Sequence, residues 1–221
     1  MTQNHHLLKG HTVVESARCD FFHSVEEEWH LERLTKRYSC QQAMTREWQA
    51  LQACAGVYVQ KGLELDLANG VMHLAYQHHA KSLDRFEFQD AETFVELLPA
   101  LIRAIDHCHQ CGWAHGDIKP SNILYLPQIG SIKLIDFGAS YPLGTPRAQL
   151  THWQASQAFA SPEQWQGEGI VSQADDWYAL KQMINQFVRS AIGHKQRKTA
   201  ISIRDSLDGW LQGAKAPKTN P

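Results

Sequence analysis

The sequence predicts an α+β chain in two lobes, a small β-rich lobe followed by a mainly helical, shortened one. Three observations carry this. Asn69-Gly70 lies between two apolar runs, "VYVQKGLELDL" and "VMHLAYQ", which is a strong hairpin signal. Residues 91–111, "AETFVELLPALIRAIDHCHQC", place Phe94, Leu97, Leu98, Leu101, Ile102 and Ile105 on one face of a long helix. A second strongly apolar helix pattern, "DDWYALKQMINQFVRSAI", begins at Asp175.

In chain order, residues 10–35 hold alternating and β-branched pieces, "HTVVESARCDFFHSV" and then "EWHLERL", which read as strands. In "SCQQAMTREWQALQACAG", Ala43, Trp48, Leu51 and Ala55 recur near helical spacing and Gly56 ends the run, so the first lobe gains one helix. The hairpin follows, and after "HHAKSL" the helix of residues 91–111 begins the second lobe. Next comes the loop "HGDIKPSNIL", through which Pro120 prevents any helix. "SIKLIDFG" reads as a short apolar strand, and the second helix succeeds it. The end, "GAKAPKTNP", is polar and proline-containing and should fray. The expected organisation is a single domain over 1–221, with lobes at 1–77 and 78–213 and a tail at 214–221.

Composition narrows the classes. With 43% hydrophobic and 20% charged residues the chain can bury a real core. A formal net charge of -2 gives no basic field to attract nucleic acid. No apolar run reaches the ~18 residues of a membrane span, and "MTQNHHLLKG" lacks the pattern of a signal peptide, so the expected address is cytoplasmic. Five cysteines without framework spacing fit reduced thiols. Cys108 and Cys111 form a CxxC, but no second ligand pair accompanies them, so they read as a helix end with thiols facing the core.

The loop at His115–Leu124 displays an acid, a cation and an amide within six positions: Asp117, Lys119 and Asn122. Asp117 can take a proton from an attacking hydroxyl, and Lys119 can neutralise a transferring phosphoryl group. The Asn122 oxygen and the Asp136 carboxylate are hard oxygen ligands of the kind magnesium prefers. Phosphoryl transfer asks the protein for positioning, metal and charge stabilisation, which this set supplies.

"HGDIKPSNIL" resembles the catalytic loop of protein kinases, and "IDFG" resembles their metal-binding Asp-Phe-Gly. "ASPEQW" resembles the Ala-Pro-Glu that closes the activation segment, with Ser161 in place of alanine, and "DWYAL" the start of the central helix of the second lobe. The resemblance covers residues 91 to about 188 and is closest to serine/threonine kinases. It implies a two-lobed kinase-like fold, ATP and Mg2+ as cofactors, and a protein substrate. By position it implies Asp117 as base, Lys119 as phosphate contact, and Asn122 and Asp136 as magnesium ligands. Glu47 fits the family's ion-pairing glutamate, Ser156 the residue that braces the catalytic aspartate and lysine, and Tyr76 to His79 the hinge against adenine.

Three departures accompany the likeness. No glycine-rich loop is visible, since Gly10 is the only glycine before Gly56. "WHLERL" sets Glu32 where the family has its strand lysine, leaving Arg33, Lys36, Arg37 or Lys9 to substitute, with Arg33 first because it neighbours the slot. His-Gly-Asp replaces His-Arg-Asp, so Gly116 cannot pair with a phosphorylated segment. The second lobe also ends early, and Arg204 in "IRDSLDGWL" is the expected partner of Glu163. Three other readings stay open: a pseudokinase that binds nucleotide or acts as a scaffold, a small-molecule phosphotransferase, and a short atypical kinase that shares the length and His-Gly-Asp but lacks an activation segment of this kind. The oligomeric state is not readable from the sequence.

Overall fold

The computed structural model describes residues 19–26, 31–150, 154–189 and 194–215. The strand expectation for residues 10–18, the candidate Lys9, Gly10 and residues 216–221 of the tail lie outside the described residues.

The first lobe is one antiparallel sheet and one helix. Strands β1 (Cys19–Glu26), β2 (Leu31–Tyr38), β3 (Gly62–Asp66) and β4 (Val71–Ala75) are ordered β1-β2-β4-β3. Helix α1 (Gln41–Ala53) sends Met44, Ala50 and Leu51 into the core, where Met72 and Leu74 of β4 arrive from the sheet. The hairpin at Asn69-Gly70 is present, with residues 67–70 as its loop. Gly70 alone takes the left-handed conformation there (φ 65°), while the Asn69 backbone N–H and amide donate to the two carboxylate oxygens of Asp66.

The second lobe is mainly helical. Strand β5 (Lys81–Ser82) leads to helix α2 (Ala91–Gln110), whose predicted face is buried at Phe94, Leu97, Leu98, Leu101 and Ile105. Strand β6 (Trp113–Ala114) then precedes the hairpin of β7 (Ile123–Leu126) and β8 (Ser131–Leu134), and β9 (Tyr141–Pro142) pairs back with β6. Helix α3 (Pro162–Gln166) is short but fully specified. Ser161 caps it by accepting from the Gln164 N–H, Pro162 opens it, and Gly167 closes it at φ 73°. Helices α4 (Gln173–Arg189) and α5 (His194–Lys215) complete the lobe. Phe187 of α4 stacks on Phe94 of α2 with centroids 4.7 Å apart. One apolar core runs from Met44 and Met72 through Leu98 to Ile184 and Leu207, so the two lobes share their packing. The two-lobed α+β arrangement is the one the sequence predicts.

Candidate active site

Two groups of polar side chains face each other where the lobes meet. The first is built on β2 and α1. Side chains two residues apart share a face of a strand, which aligns Leu34, Lys36 and Tyr38 toward α1. The Lys36 ammonium donates to both oxygens of Glu47 (2.9 and 2.8 Å) and to Oδ1 of Asp136 (2.8 Å). The Tyr38 hydroxyl adds a 2.7 Å bond to Glu47 Oε2. Burial by itself would lower the Lys36 pKa, but the carboxylates of Glu47 and Asp136 outweigh it and hold the ammonium above its ordinary value. Burial raises the Glu47 carboxyl, against the opposing pull of Lys36. For Asp136 burial also pushes upward, but Lys36 prevails and the carboxyl lies below its ordinary value.

This overturns the assignment of Arg33 as the cation that meets Glu47. Arg33 lies 3.4 Å from Glu64 instead. Arg33 and Lys36 differ by an odd number of positions, so the pleat sends them to opposite faces of β2. The register pairs Lys36 with Met72, one of the most deeply buried residues of the sheet. The signal in the sequence was that alternation, read from the strand's true end at Tyr38 and not from "WHLERL".

The second group is the loop between β6 and β7. Asp117 is 7% exposed and accepts from Ser156 Oγ (2.8 Å), Lys119 Nζ (2.6 Å) and the Asn122 amide (3.1 Å). Lys119 also donates to Ser156 Oγ at 3.2 Å, which closes a three-membered contact of acid, cation and hydroxyl. The Asn122 nitrogen further donates to the Asp117 carbonyl (2.9 Å), so its oxygen is the atom these bonds do not use. Asn122 and Asp136 flank the same end of the β7–β8 hairpin. Ile123 pairs with Leu134, and the Ile135 N–H donates to the Asn122 carbonyl. All five predicted site residues, Asp117, Lys119, Asn122, Asp136 and Glu47, therefore lie in this one region.

Local backbone chemistry fixes the loop. Asp136 is the one non-glycine with positive φ (60°) among the described residues, a conformation aspartate tolerates better than most. Phe137 beside it is fully buried against His115, with ring centroids 4.7 Å apart. The His115 ring accepts from the Asp117 N–H at Nδ1 and lies 3.1 Å from the Ile135 carbonyl at Nε2, which a neutral ring protonated on Nε2 satisfies. Asp176, at the start of α4, accepts from the His115 and Gly116 N–H groups (2.8 and 2.9 Å) and meets His109 Nε2 at 2.9 Å. Burial would raise the Asp176 carboxyl, but the His109 hydrogen bond and the neighbouring donors hold it below its ordinary value. Glycine is required at 116, where φ is 79° and a Cβ would come within 2.4 Å of the Ala139 carbonyl oxygen. At Gly138 a Cβ would crowd both Asp136 and Glu47 at 3.3 Å.

The expected pair of Arg204 and Glu163 is absent. Arg204 binds its neighbour Asp205 (2.6 and 2.9 Å) and reaches Asn185, because α5 packs along α4 and away from α3. The segment between Asp136 and α4 is tied by Arg147, which is missing from the sequence reading. Its guanidinium donates to the carbonyls of Glu168 (2.8 Å) and Ile170 (2.5 Å) and to the Asp175 carboxylate. Asp175 in turn accepts from Ser161 Oγ at 2.7 Å. Nothing in local spacing connects positions 147 and 175.

The chain is similar to known proteins over much of its length. Residues 30–217 match the family described as the protein kinase domain. The chain is 37% identical over 112 residues to the serine/threonine-protein kinase PrkC of Bacillus subtilis, covering 49% of this chain and 16% of that protein. It is 31% identical over 87 residues to a probable serine/threonine-protein kinase of Streptomyces coelicolor, covering 38% and 13% respectively. With the citron Rho-interacting kinase of Mus musculus it shares 42% identity over 76 residues, or 29% of this chain and 4% of that one. The chain thus matches only a small part of the length of these relatives. Among the described residues no helix is long and apolar enough to cross a membrane. A kinase-family match over most of the chain, together with a buried lysine–glutamate pair facing an acid–lysine–amide loop, places this chain in the eukaryotic-like protein kinase family.

Proposed function

We propose that the chain transfers the γ-phosphoryl group of ATP to serine or threonine hydroxyls of a protein substrate. The observation that carries this reading is Lys36, held between Glu47 and Asp136. A cation so placed answers the main objection the sequence raises, the missing strand lysine, and can bind the negative charge of a nucleotide's phosphates. Asp117 acts as the base. Its carboxylate accepts the proton of the incoming hydroxyl, and its bonds to Ser156 and Asn122 fix the direction in which it points. Lys119 sits against the same carboxylate and supplies positive charge to the group in flight. The Lys119 and Ser156 pair also suits protein hydroxyls better than the small-molecule alternative.

The donor set fits magnesium. Asn122 spends its nitrogen on Asp117 and keeps its oxygen, and Asp136 engages Lys36 through one of its two oxygens. Asn122 and Asp136 would hold the ion, which supplies charge neutralisation for the phosphates. Tyr76 to His79, between β4 and β5, form the hinge in this reading, and the preceding strand end is fixed by the Gln60 amide bond to the Ala75 carbonyl (3.0 Å).

A second reading, a nucleotide-binding pseudokinase, draws on one feature. The residues joining β1 to β2 are Glu27, Glu28, Trp29 and His30, with two acids and no glycine. One experiment separates the two. The chain is incubated with γ-labelled ATP, magnesium and a mixture of serine- and threonine-containing peptides. Transfer is expected in the wild type, a fall of about 10²–10⁴-fold in Asp117→Ala, and loss of the magnesium response in Asp136→Asn, since asparagine also tolerates positive φ. Nucleotide binding without transfer would establish the pseudokinase instead.

A further inference from the structure

The end of α1 and the strand β8 border a pocket of about 460 Å³, apart from the site described above. Its walls are the last turn of α1, the chain at residues 55–62 and Lys133 of β8. Backbone bonds hold the second wall in place. The Leu134 N–H donates to the Tyr58 carbonyl (2.7 Å), and the Gln60 N–H donates to the Leu134 carbonyl (3.0 Å). Leu51 and Val59, 2% and 1% exposed, form an apolar floor, to which the exposed Ala55 adds a methyl group. At Gly62 a Cβ would stand 2.6 Å from the Trp48 ring, so α1 and the chain close on each other there.

The charges at this pocket have one sign. Ile132 and Leu134 of β8 are buried in the core, so alternation turns Lys133 to the opposite face. Its half-buried ammonium donates to the carbonyls of Val57 (3.1 Å) and Val59 (3.3 Å), both neutral acceptors. An ammonium has three N–H donors, which leaves one for a ligand. No carboxylate among the described residues offsets its burial, which holds its pKa below the ordinary lysine value. Lys61 is exposed at the rim, and no acid is among the lining residues.

We propose that this pocket binds a small monocarboxylate on an apolar body, its carboxylate on Lys133 and its body on Leu51, Ala55 and Val59. The volume lies within the range of about 300–1,000 Å³ usual for small-molecule sites. The free donor of Lys133 makes a charge-assisted hydrogen bond to one carboxylate oxygen, and Lys61 adds a second positive charge from the rim. A single negative charge is the match. A phosphate dianion would give up a larger hydration shell than one half-buried cation can replace. A neutral body of the same shape would leave the ammonium without its counter-charge.

The ligand would rest on the helix that carries Glu47. Leu51 lies four positions beyond Glu47, one helical turn along α1. Arg46 ties the same helix elsewhere, donating to the Gly138 carbonyl (2.6 Å) and lying 4.1 Å over the Tyr141 ring. Occupancy therefore favours the placement of α1 in which Glu47 meets Lys36. The pocket itself does not depend on the activity proposed above.

The test is isothermal titration calorimetry on the full wild-type chain with octanoate. Octanol serves as the neutral comparator, octyl phosphate as the dianion, and acetyl-Asp-Leu-Asp-Leu-amide as a peptide occupant. Octanoate should bind saturably at one site with Kd below about 1 mM, and the three comparators at least roughly tenfold more weakly. Lys133→Met keeps the aliphatic stem and should weaken octanoate about 10–100-fold while leaving octanol as it was. Lys61→Met should cost only about 2–4-fold, as an exposed charge does. Ala55→Phe fills the pocket at an exposed position, leaves Lys133 in place and should abolish octanoate binding. It keeps the test decisive if Lys133→Met fails to fold. Octanol binding as tightly as octanoate, tighter binding of octyl phosphate or the peptide, octanoate binding that survives Ala55→Phe, or no saturation in the wild type would each overturn the proposal.

Discussion

The two polar groups of the candidate site are held by different physics. On the sheet side three charges share one knot, in which the buried Lys36 serves the buried Glu47 and the part-exposed Asp136 at once and Tyr38 adds a neutral donor. On the helical side the charges are fewer per contact and the backbone does most of the holding. Asp176 binds two N–H groups, His115 binds an N–H and faces a carbonyl, and Asn122 binds the carbonyl of Asp117. A charge knot loses everything when one member goes, because the others stay buried without a counter-charge. A backbone-anchored loop loses one contact at a time. The lesson is that the sheet side should be brittle and the loop side graded, and each prediction below tests one end of that contrast.

The largest effect belongs to Lys36. Lys36→Met strands the Glu47 carboxylate, whose side chain is 1% exposed, and should cost about 3–5 kcal/mol of stability in urea unfolding, with loss of transfer. The double variant Lys36→Met with Glu47→Gln removes both charges of the buried pair. It should recover a clear part of that stability and none of the activity. If the double variant is no more stable than Lys36→Met alone, the cost does not come from the stranded acid and the sheet side is not a charge knot.

The same contrast explains what the sequence reveals. Asp117, Lys119 and Asn122 are legible because a proline-stopped loop displays them within six residues, and their mutual bonds are local. The long helices are legible because 3.6-residue periodicity survives in α2 and α4. Lys36 is not legible from spacing, since its partners lie 11 and 100 residues away and only the strand register decides which of Arg33, Lys36 and Arg37 turns inward. Arg147 and Asp175 are 28 residues apart, and no periodicity links them. The hairpin is legible in Asn69-Gly70, but its four-residue loop is not, because Asp66 recruits Asn69 as a cap.

Within the loop, effects should be smaller and separable. Asp176 has its pKa depressed in the folded state, so the stability it contributes is present above the unfolded carboxylate value of about 3.9 and is lost as pH falls through the lower folded value. Asp176→Asn should therefore be less stable than wild type at pH 7, and the gap should narrow as pH drops below about 4. Urea unfolding at pH 7, 5 and 3.5 measures it, and a gap that stays constant down to pH 3.5 would contradict the depressed value. Ser156→Ala is milder still. It removes one hydrogen bond to Asp117, worth about 0.5–1.5 kcal/mol, and leaves the bond from Lys119. The expected loss in kcat is roughly 3–10-fold, with Ser156→Thr close to wild type.

The smallest effect is expected at Arg204, and it matters because the sequence alone suggests the opposite. The family pattern makes Arg204 a buried anchor for Glu163, whose loss would cost several kcal/mol. In the fold its side chain is 28% exposed, and its partner Asp205 is 58% exposed and adjacent in the chain. An ion pair between neighbours at that exposure is screened by water and contributes little beyond side-chain ordering. The anchoring of the segment before α4 falls to Arg147, whose side chain is 5% exposed and which binds two carbonyls and a buried carboxylate. Arg204→Ala should accordingly change stability by no more than about 0.5 kcal/mol and leave peptide phosphorylation as it was. Chemical unfolding and initial transfer rates on the purified variant decide it. A loss of 2 kcal/mol or more at Arg204 would return the anchoring role to α5 and remove the case for Arg147.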